Sequence, residues 1–318
     1  MKILKFFKEG YPNESIGYLD SNGNIVDLVK LYYLKMREKG LSEDKAVSLT
    51  SEMVSSLDNF AAIWPELKRL ISSVEDESLL EESKVNIDEI EIKPPILRPS
   101  KIIGVALNYR DHAEETGRSP PDRPMLFLKA VTSIIGHNDY IIIPRHLEKV
   151  DYEAELVVVI GRKGRNIPVD HALEHVLGYT IGNDVSARDI QFGFKNHTLH
   201  SWAKSFDTFA PIGPWIVTSD EIKDPNKLDI ALKLNGEVMQ SSNTDNMIFN
   251  VAYLVSYVSR GISLCPGDLI FSGTPAGVGS ARKPPRFLRS GDIVEISIQG
   301  IGVLKNKVVL EGELVENW

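Results

Sequence analysis

Acidic residues stand in this chain at a spacing that suits a divalent cation. Glu153-Ala154-Glu155 heads the apolar run ELVVVIG. Such a run reads as a strand, and residues i and i+2 of a strand point to the same side. The two carboxylates then project together, ~6–7 Å apart along the strand by rise alone. Two like charges on one face repel, and each raises the other's pKa unless a cation lies between them. Oxygen ligands of this kind suit Mg²⁺, Ca²⁺ or Mn²⁺. The pair alone is also compatible with a solvated strand face. A third ligand is expected where another strand ends. Asp184, in GYTIGNDVSARDIQ, closes the strand-like run YTIGN beside a small-residue turn. Asp189 competes with it, and spacing does not separate the two. Taken singly, either aspartate reads as a turn residue bonded to its own backbone.

His112 and Glu115 stand at i and i+3 in NYRDHAEETG. On one helical turn they share a face, so the carboxylate can orient the imidazole and raise its basicity. Such a pair can activate a water. Taken alone, the segment reads as a surface helix start with Asn108 or Asp111 as cap. Lys204-Ser205-Phe206-Asp207 follows Trp202, and residues 271–279 (FSGTPAGVG) are glycine-dense after an apolar run. Backbone N–H groups of such a loop can hold a carboxylate or phosphate. The loop lacks the Gly-Lys-Ser/Thr end of a P-loop and precedes no evident helix, which disfavours a nucleotide. His197 and His200, just before Lys204, are expected at the surface. His137, His146, His171 and His175 have no partner pattern and are expected to be structural or solvated. Cys265 follows an apolar run and precedes Pro266-Gly267-Asp268, as a buried small hydrophobe would, not a nucleophile.

These residues need a body to hold them. At 318 residues, two domains, or one large domain with an appendage, are expected. Apolar residues at 42% and charged residues at 25% are ordinary for a globular protein. The net charge of −8 is spread evenly and argues against a nucleic-acid partner, which needs a basic face. A single cysteine excludes an internal disulfide framework. The start, MKILKFFKEG, has too short an apolar stretch for a signal peptide. No run approaches the ~20 apolar residues that span a bilayer. A soluble, cytoplasmic protein with no membrane partner is expected. Only three glutamines occur (Gln191, Gln240 and Gln299) beside plentiful Lys, Glu and Ile, which leans toward a thermophile.

Residues 1–30 read as short strands (KILKFF, SIGYLD, NIVDLV), with a hairpin signal in SNGN. Residues 27–75 switch to helical spacing. Met53, Leu57, Phe60 and Ile63 form one face, and the pattern extends past Pro65 toward Leu70 and Ile71. SVEDESLLEES is acidic and solvated in character. Pro94, Pro95 and Pro99 mark an extended connection, and a boundary near residue 95 is expected. After residue 100 the chain is strand-rich: KIIGVAL, IIIP, ELVVVIG, HVLGYTIGND, WIVTS, DIALKLNGEV, DLIFSG and DIVEISI. One helix, Ile248 to Ser259, is apolar almost all round and expected to be buried. Its Tyr253 and Tyr257 are expected in the core or a dimer interface.

The strings GVALNYRDHAEE, PMLFLK, DYEAELVVVIG, GYTIGNDVSARDIQ, WAKSFDTFAPIGPW, LKLNGEVMQ, MIFNVAYLVSYVS and PGDLIFSGTPAGVG occur in the order of the fumarylacetoacetate hydrolase family. Over roughly residues 100–310 the chain resembles that family. The resemblance implies an α+β, mainly β fold. A mixed β-roll catalytic domain would span residues 96–318, with a smaller N-terminal α/β domain of strands plus helices over residues 1–95. It implies a homodimer and a bound divalent metal, Mg²⁺ or Mn²⁺, which Ca²⁺ can replace in a crystal. The family's three metal carboxylates map to Glu153, Glu155 and Asp184, which favours Asp184 over Asp189. Its His–Glu dyad maps to His112 and Glu115, and its lysine near the metal to Lys204. Arg188 and Gln191 fall where substrate-contacting residues lie. Thr274 matches the threonine that binds substrate carboxylate, and Lys129 matches the lysine of the FLK motif.

The implied substrate is a small 2-oxo acid or 1,3-dicarbonyl acid. The implied reaction is C–C bond hydrolysis of acylpyruvate or fumarylacetoacetate type, through a metal-bound enolate. The same enolate serves decarboxylation or isomerisation of an oxaloacetate or 2-hydroxy-diene-dioate type. Dehydration of a 2-keto-3-deoxy sugar acid is a further alternative. A non-enzymatic binder of 2-oxo acids is disfavoured by the full set of His112, Glu115 and Lys204.

Overall fold

The computed structural model of the protein describes residues 1–74, 76–193, 195 and 197–313. A twelve-stranded mixed sheet organises it. Along its main path run Lys84–Val85, Ile25–Asp27, Ser15–Leu19, Lys2–Lys8, Ala210–Thr218, Val176–Asn183, Ala154–Ile160, Leu269–Phe271, Ile102–Ala106 and Met125–Lys129. Most neighbours are antiparallel, but Leu269–Phe271 runs parallel to Ile102–Ala106. A second sheet of five strands holds Glu237–Asn243, Asp229–Leu234, Ile293–Ile298, Gly302–Leu310 and Tyr140–Ile143. The fold is α+β and mainly β, as the resemblance implies.

Every residue of Ala154–Ile160 and Val176–Asn183 is buried. A strand covered on both faces reads as a near-continuous apolar run, which is why these two stand out in the sequence. Leu156, Val158 and Ile160 face one core, shared with Leu232, Ile296 and Leu304 of the second sheet. Val157 and Val159 face the other, shared with Ile212, Ile216 and Phe271. By strand alternation, Glu153 and Glu155 continue that second face toward the head of their strand.

Residues 1–95 complete this second core. Their strands do not form a sheet of their own: Lys2–Lys8 pairs with Ala210–Thr218, Lys2 opposite Val217 and Ile3 opposite Ile216. Leu28, Leu31, Phe60, Leu67 and Leu70 pack with Val157 and Phe271. Pro65 starts a helix instead of interrupting one. It is the second residue of Trp64–Ser72, where its missing N–H has no partner to lose. The turn before it, Leu57–Ala62, is a 3₁₀ segment with non-helical backbone at Asn59. Asn59 Nδ2 donates to the carbonyl of Pro266 at 3.0 Å, fastening this segment to the rest of the chain. The acidic stretch contains the short helix Glu77–Glu82, capped by Asp76; Glu75 lies outside the described residues.

Both Asn-Gly signals form hairpins. Asn235 and Gly236 have φ of 53° and 85° between antiparallel Asp229–Leu234 and Glu237–Asn243, the left-handed pair a tight hairpin needs. The apolar helix begins at Val251, later than its apolar pattern suggests, because Asn250 caps it by accepting from the Tyr253 N–H at 2.9 Å. It is not buried all round. Val251, Leu254, Val255 and Val258 enter the core, while Tyr253 and Tyr257 are half-buried and stack at 6.1 Å. Cys265 is half-buried, less enclosed than its apolar flank suggests. Among the described residues no helix is long and apolar enough to cross a membrane.

One glycine shapes the wall beside the acidic residues. Gly104 pairs with Phe127 across Ile102–Ala106 and Met125–Lys129. A Cβ there would lie 2.1 Å from Phe127 Cζ, so the ring rests on bare backbone. Gly104→Ala must push the ring away. The expected loss is about 1–3 kcal/mol of stability, measured as a lower urea midpoint at unchanged slope.

Candidate functional site

The pairing of Ala154–Ile160 with Val176–Asn183 sets Ala154 opposite Asn183 and Glu155 opposite Gly182. Asp184 therefore emerges where Glu153 and Glu155 begin. Its N–H donates to the Glu153 carbonyl at 2.9 Å, and the Glu153 N–H donates to Asn183 Oδ1 at 3.0 Å. One carboxylate oxygen from each of Glu153, Glu155 and Asp184 lies within 4.8 Å of the others, and all three residues are buried. Asp189 is elsewhere employed. Its Oδ2 accepts from the N–H groups of Glu148 and Lys149 at 3.0 and 2.7 Å.

Three buried cations frame the carboxylates. Lys204 Nζ donates to Glu153 Oε2 at 2.7 Å, Asp184 Oδ2 at 2.5 Å and Ser186 Oγ at 2.8 Å. Lys129 Nζ donates to Asp184 Oδ1 at 2.6 Å and to the carbonyls of Lys204 and Phe209. An ammonium has three donors, so Lys129 buttresses Asp184 and has none left for a ligand. Arg188 spreads its fork over Asp151 Oδ2 at 2.9 Å, Gln191 Oε1 at 2.6 Å and Glu153 Oε1 at 2.6 Å.

Glu155 differs from its neighbours. Among the described residues it has no cationic partner; its Oε2 accepts the Gly273 N–H at 2.8 Å. Burial, then the Asp184 and Glu153 charges, push its carboxyl well above the ordinary range. Burial acts on Glu153 too, but Lys204 and Arg188 outweigh it and hold that carboxyl far below its usual value. Burial opposes the charge of Lys204 as well, and Asp184 and Glu153 outweigh it, raising the ammonium. Asp151, Glu153, Glu155 and Asp184 oppose Lys129, Arg188 and Lys204. With Glu155 ionised, four negative charges against three positive put the cluster at −1; with its proton kept, the cluster is neutral.

Asp151 has no place among the residues singled out from sequence, yet it ties the cluster together. Besides Arg188, it accepts the N–H groups of Gly279 at 2.8 Å and Ser280 at 2.9 Å. The available signal was its place two residues before Glu153, continuing the same alternation. Asp151→Ala leaves Arg188 buried with a lost partner. The expected cost is about 3–5 kcal/mol, seen in chemical denaturation; an unchanged midpoint would refute the role.

His112 and Glu115 lie on the short helix Arg110–Glu115, with His112 Nδ1 3.3 Å from Glu115 Oε2. Neither Asn108 nor Asp111 is the residue preceding this helix. Asn108 clamps Phe249 and Ser272, and Asp111 Oδ1 accepts from the His112 N–H at 2.8 Å. The glycine-rich loop does grip carboxylates, but the protein's own. Gly273 donates to Glu155, Gly277 to Glu115 at 2.8 Å, and Gly279 to Asp151. Gly273 and Gly277 have φ of +99° and +103°, left-handed backbone that favours glycine.

Every residue the resemblance assigns to the site, except Lys129, lines one cavity of about 360 Å³. Thr274 Oγ1 accepts from Gln240 Nε2 at 2.8 Å, which leaves its hydroxyl proton for another acceptor. His200 departs from the surface position expected of it. It lines the cavity, stacks on Phe127 at 5.6 Å and accepts from Gln191 Nε2 at 3.1 Å through Nδ1. Its placement depends on Phe127, far away in sequence, so local pattern carried no sign of it. His197 is exposed, as expected. Away from the cavity, His137 Nδ1 faces the Lys305 N–H, His171 pairs with Glu174, His175 Nδ1 faces the Arg162 carbonyl, and His146 packs on Phe206.

A model of the fumarylacetoacetate (FAA) hydrolase C-terminal region matches residues 101–309. The chain belongs to the fumarylacetoacetate hydrolase family. It is 47% identical over 221 residues to "Oxaloacetate tautomerase FAHD2A, mitochondrial" of Bos taurus, covering 70% of each chain. Similarity in structure extends through the N-terminal region. The fumarylacetoacetate hydrolase of Exiguobacterium antarcticum superposes with a TM-score of 0.74 at 34% identity, over 98% of this chain and 99% of that one. The 2-hydroxyhepta-2,4-diene-1,7-dioate isomerase of Mycobacterium marinum gives a TM-score of 0.63 at 40% identity, over 72% of this chain and 82% of that one. Family membership and the geometry of the cavity thus fall on the same residues, 101–309.

Proposed function

We propose that the chain is a divalent-metal-dependent enzyme acting at the keto–enol centre of a small 2-oxo acid. The observation that carries this is the convergence of Glu153, Glu155 and Asp184 on the floor of a cavity, with Glu155 lacking any cationic partner among the described residues. The donor set is all oxygen, which suits Mg²⁺ or Mn²⁺ over a softer metal. Burial, with the crowding of Asp184 and Glu153, drives Glu155 up, and a divalent charge relieves that stress. With Glu155 ionised against it, a divalent cation would leave the cluster at +1, suited to an anionic ligand. When bound, the cation supplies Lewis-acid stabilisation of negative charge developing on the keto oxygen.

The rest falls to the chain itself. Lys204 and Arg188 favour an anion on the cavity floor, and Gln191 and Thr274 offer neutral donors that fix its orientation. Arg188 holds Gln191, and Gln240 holds Thr274, before substrate arrives, so little reorganisation accompanies charge development. His112, oriented by Glu115, takes a proton from the carbon next to the keto group while the keto oxygen gains one, from the same imidazole or from solvent, and the reverse steps return the keto form. That is tautomerisation, and it agrees with the names of the Bos taurus and Mycobacterium marinum relatives.

C–C hydrolysis is the second reading. Its support is the side-chain exposure of His112 and Glu115, 13% and 21%, which lets water reach the dyad and be deprotonated there. Both readings are tested by NMR in D₂O with Mg²⁺ or Mn²⁺. Faster keto–enol equilibration of oxaloacetate and exchange at its C3 are expected. Cleavage of an acylpyruvate to pyruvate and a carboxylic acid would instead favour hydrolysis. Binding of both compounds without exchange or cleavage would sink the catalytic reading.

A further inference from the structure

We infer that Arg118 is a specificity-determining residue, binding the distal carboxylate of a 2-oxo dicarboxylate at the cavity mouth. The inference rests on the 2-oxo acid reading above and narrows it to dianions. Its basis is the way the dyad helix ends. Thr116 caps Arg110–Glu115, and Gly117 follows with φ of +65°. The Gly117 N–H donates to the Glu114 carbonyl at 3.1 Å, and the Arg118 N–H to the Ala113 carbonyl at 2.9 Å. This pair of bonds is the Schellman arrangement. Its last position commonly holds an apolar residue that packs back on the helix. Here it holds an arginine, which lines the cavity.

The backbone of Arg118 is therefore fixed by the same short helix that carries His112 and Glu115. Its guanidinium carbon lies 5.8 Å from the Phe192 ring centroid, within cation–π range. Phe192 also lines the cavity and is 47% exposed. Arg118 is exposed as well, whereas Glu153, Asp184, Arg188 and Lys204 are buried. The cavity thus has a charged floor and a mouth bearing one cation.

Charge pairing separates Arg118 from the other lining cations. Arg188 is committed to Asp151 and Glu153, and Lys204 to Glu153 and Asp184. Among the described residues, no acidic side chain pairs with Arg118. A monoanionic 2-oxo acid is accommodated by the floor alone. A second carboxylate at the far end of the ligand meets an arginine whose planar fork can bind it bidentately. Desolvation is slight at the mouth, so the expected gain is moderate.

Oxaloacetate and pyruvate differ by the distal carboxylate and make the test. Initial rates of C3 proton exchange are followed by NMR with the Mg²⁺-loaded protein. Arg118→Ala should raise KM for oxaloacetate about tenfold, the size of one charge-assisted contact. Its kcat for oxaloacetate, and both constants for pyruvate, should stay within about twofold of wild type because only ground-state binding is lost. Arg118→Lys should restore part of the preference, since charge remains without the fork. Loss of activity on both substrates in Arg118→Ala, or an unchanged KM for oxaloacetate, overturns the inference and leaves the 2-oxo acid reading standing. A wild-type protein that exchanges neither substrate overturns that reading, and the inference with it.

Discussion

Glu155→Ala is expected to abolish divalent-cation binding, and turnover with it. The reason is electrostatic before it is geometric. Glu153 and Asp184 are already met by Lys204, with Arg188 and Lys129 in support. Without Glu155 the cluster can no longer ionise to −1 when a cation arrives, and nothing remains to repay dehydration of a small cation. The expected loss is at least about 100-fold in Mn²⁺ affinity and on the order of 10³ in rate. Metal binding is measured by the free-Mn²⁺ EPR signal.

A second readout separates loss of the site from loss of the fold. The metal-free wild type buries a carboxyl whose folded pKa lies above its unfolded value of 4.5. The folded state then holds that proton more tightly, so this group's contribution to stability declines as pH rises above the ordinary range. Removing it should leave the metal-free protein as stable as wild type or more so at neutral pH. The melting temperature should lose its dependence on added Mg²⁺. A variant that keeps wild-type Mn²⁺ affinity and full activity would disprove the metal site.

Local pattern exposed the parts of this molecule that obey a short period. The i, i+2 spacing of Glu153 and Glu155 and the i, i+3 spacing of His112 and Glu115 are each set by one element, and both pairs line the cavity. The doubly buried strands around them announced themselves as apolar runs. What stayed hidden depends on distant partners. Lys2–Lys8 looks like any short amphipathic strand until it meets Ala210–Thr218. Gly302–Leu310 reads GVLKNKVVL, where Asn306 faces inward and Lys305 and Lys307 outward. Its buried amide is satisfied by the carbonyls of Gly136 and Asp139, which sequence proximity does not supply. His200 belongs to the same class, gaining its role from Phe127 on another strand, whereas Asp151 had a local signal in its place two residues before Glu153. Residues 271–279 show the reverse failure. Their exposed amides suggested an anionic ligand, but folding satisfies three of them with Glu155, Glu115 and Asp151.

His112→Ala should leave metal binding intact and lower turnover by about 10²–10⁴-fold, the usual contribution of a positioned base. His112 lies outside the group of three carboxylates whose oxygens converge. Its Nδ1 is turned to Glu115, and Glu115 is in turn held by the Gly277 N–H. That chain favours the tautomer with the proton on Nδ1 and leaves Nε2 as the basic nitrogen. It also explains why a carboxylate is needed at position 115: an imidazolium formed during proton transfer is stabilised by the charge beside it. Glu115→Gln should therefore keep the histidine near its place but remove the charge that stabilises the imidazolium formed in transfer, with a smaller loss, about tenfold or more. Oxaloacetate exchange in D₂O gives the rates, and Mn²⁺ EPR the occupancy. If His112→Ala releases the metal, the histidine is a ligand and the division of labour drawn here is wrong. If the variant binds metal and still turns over at the wild-type rate, the proton passes through some other group.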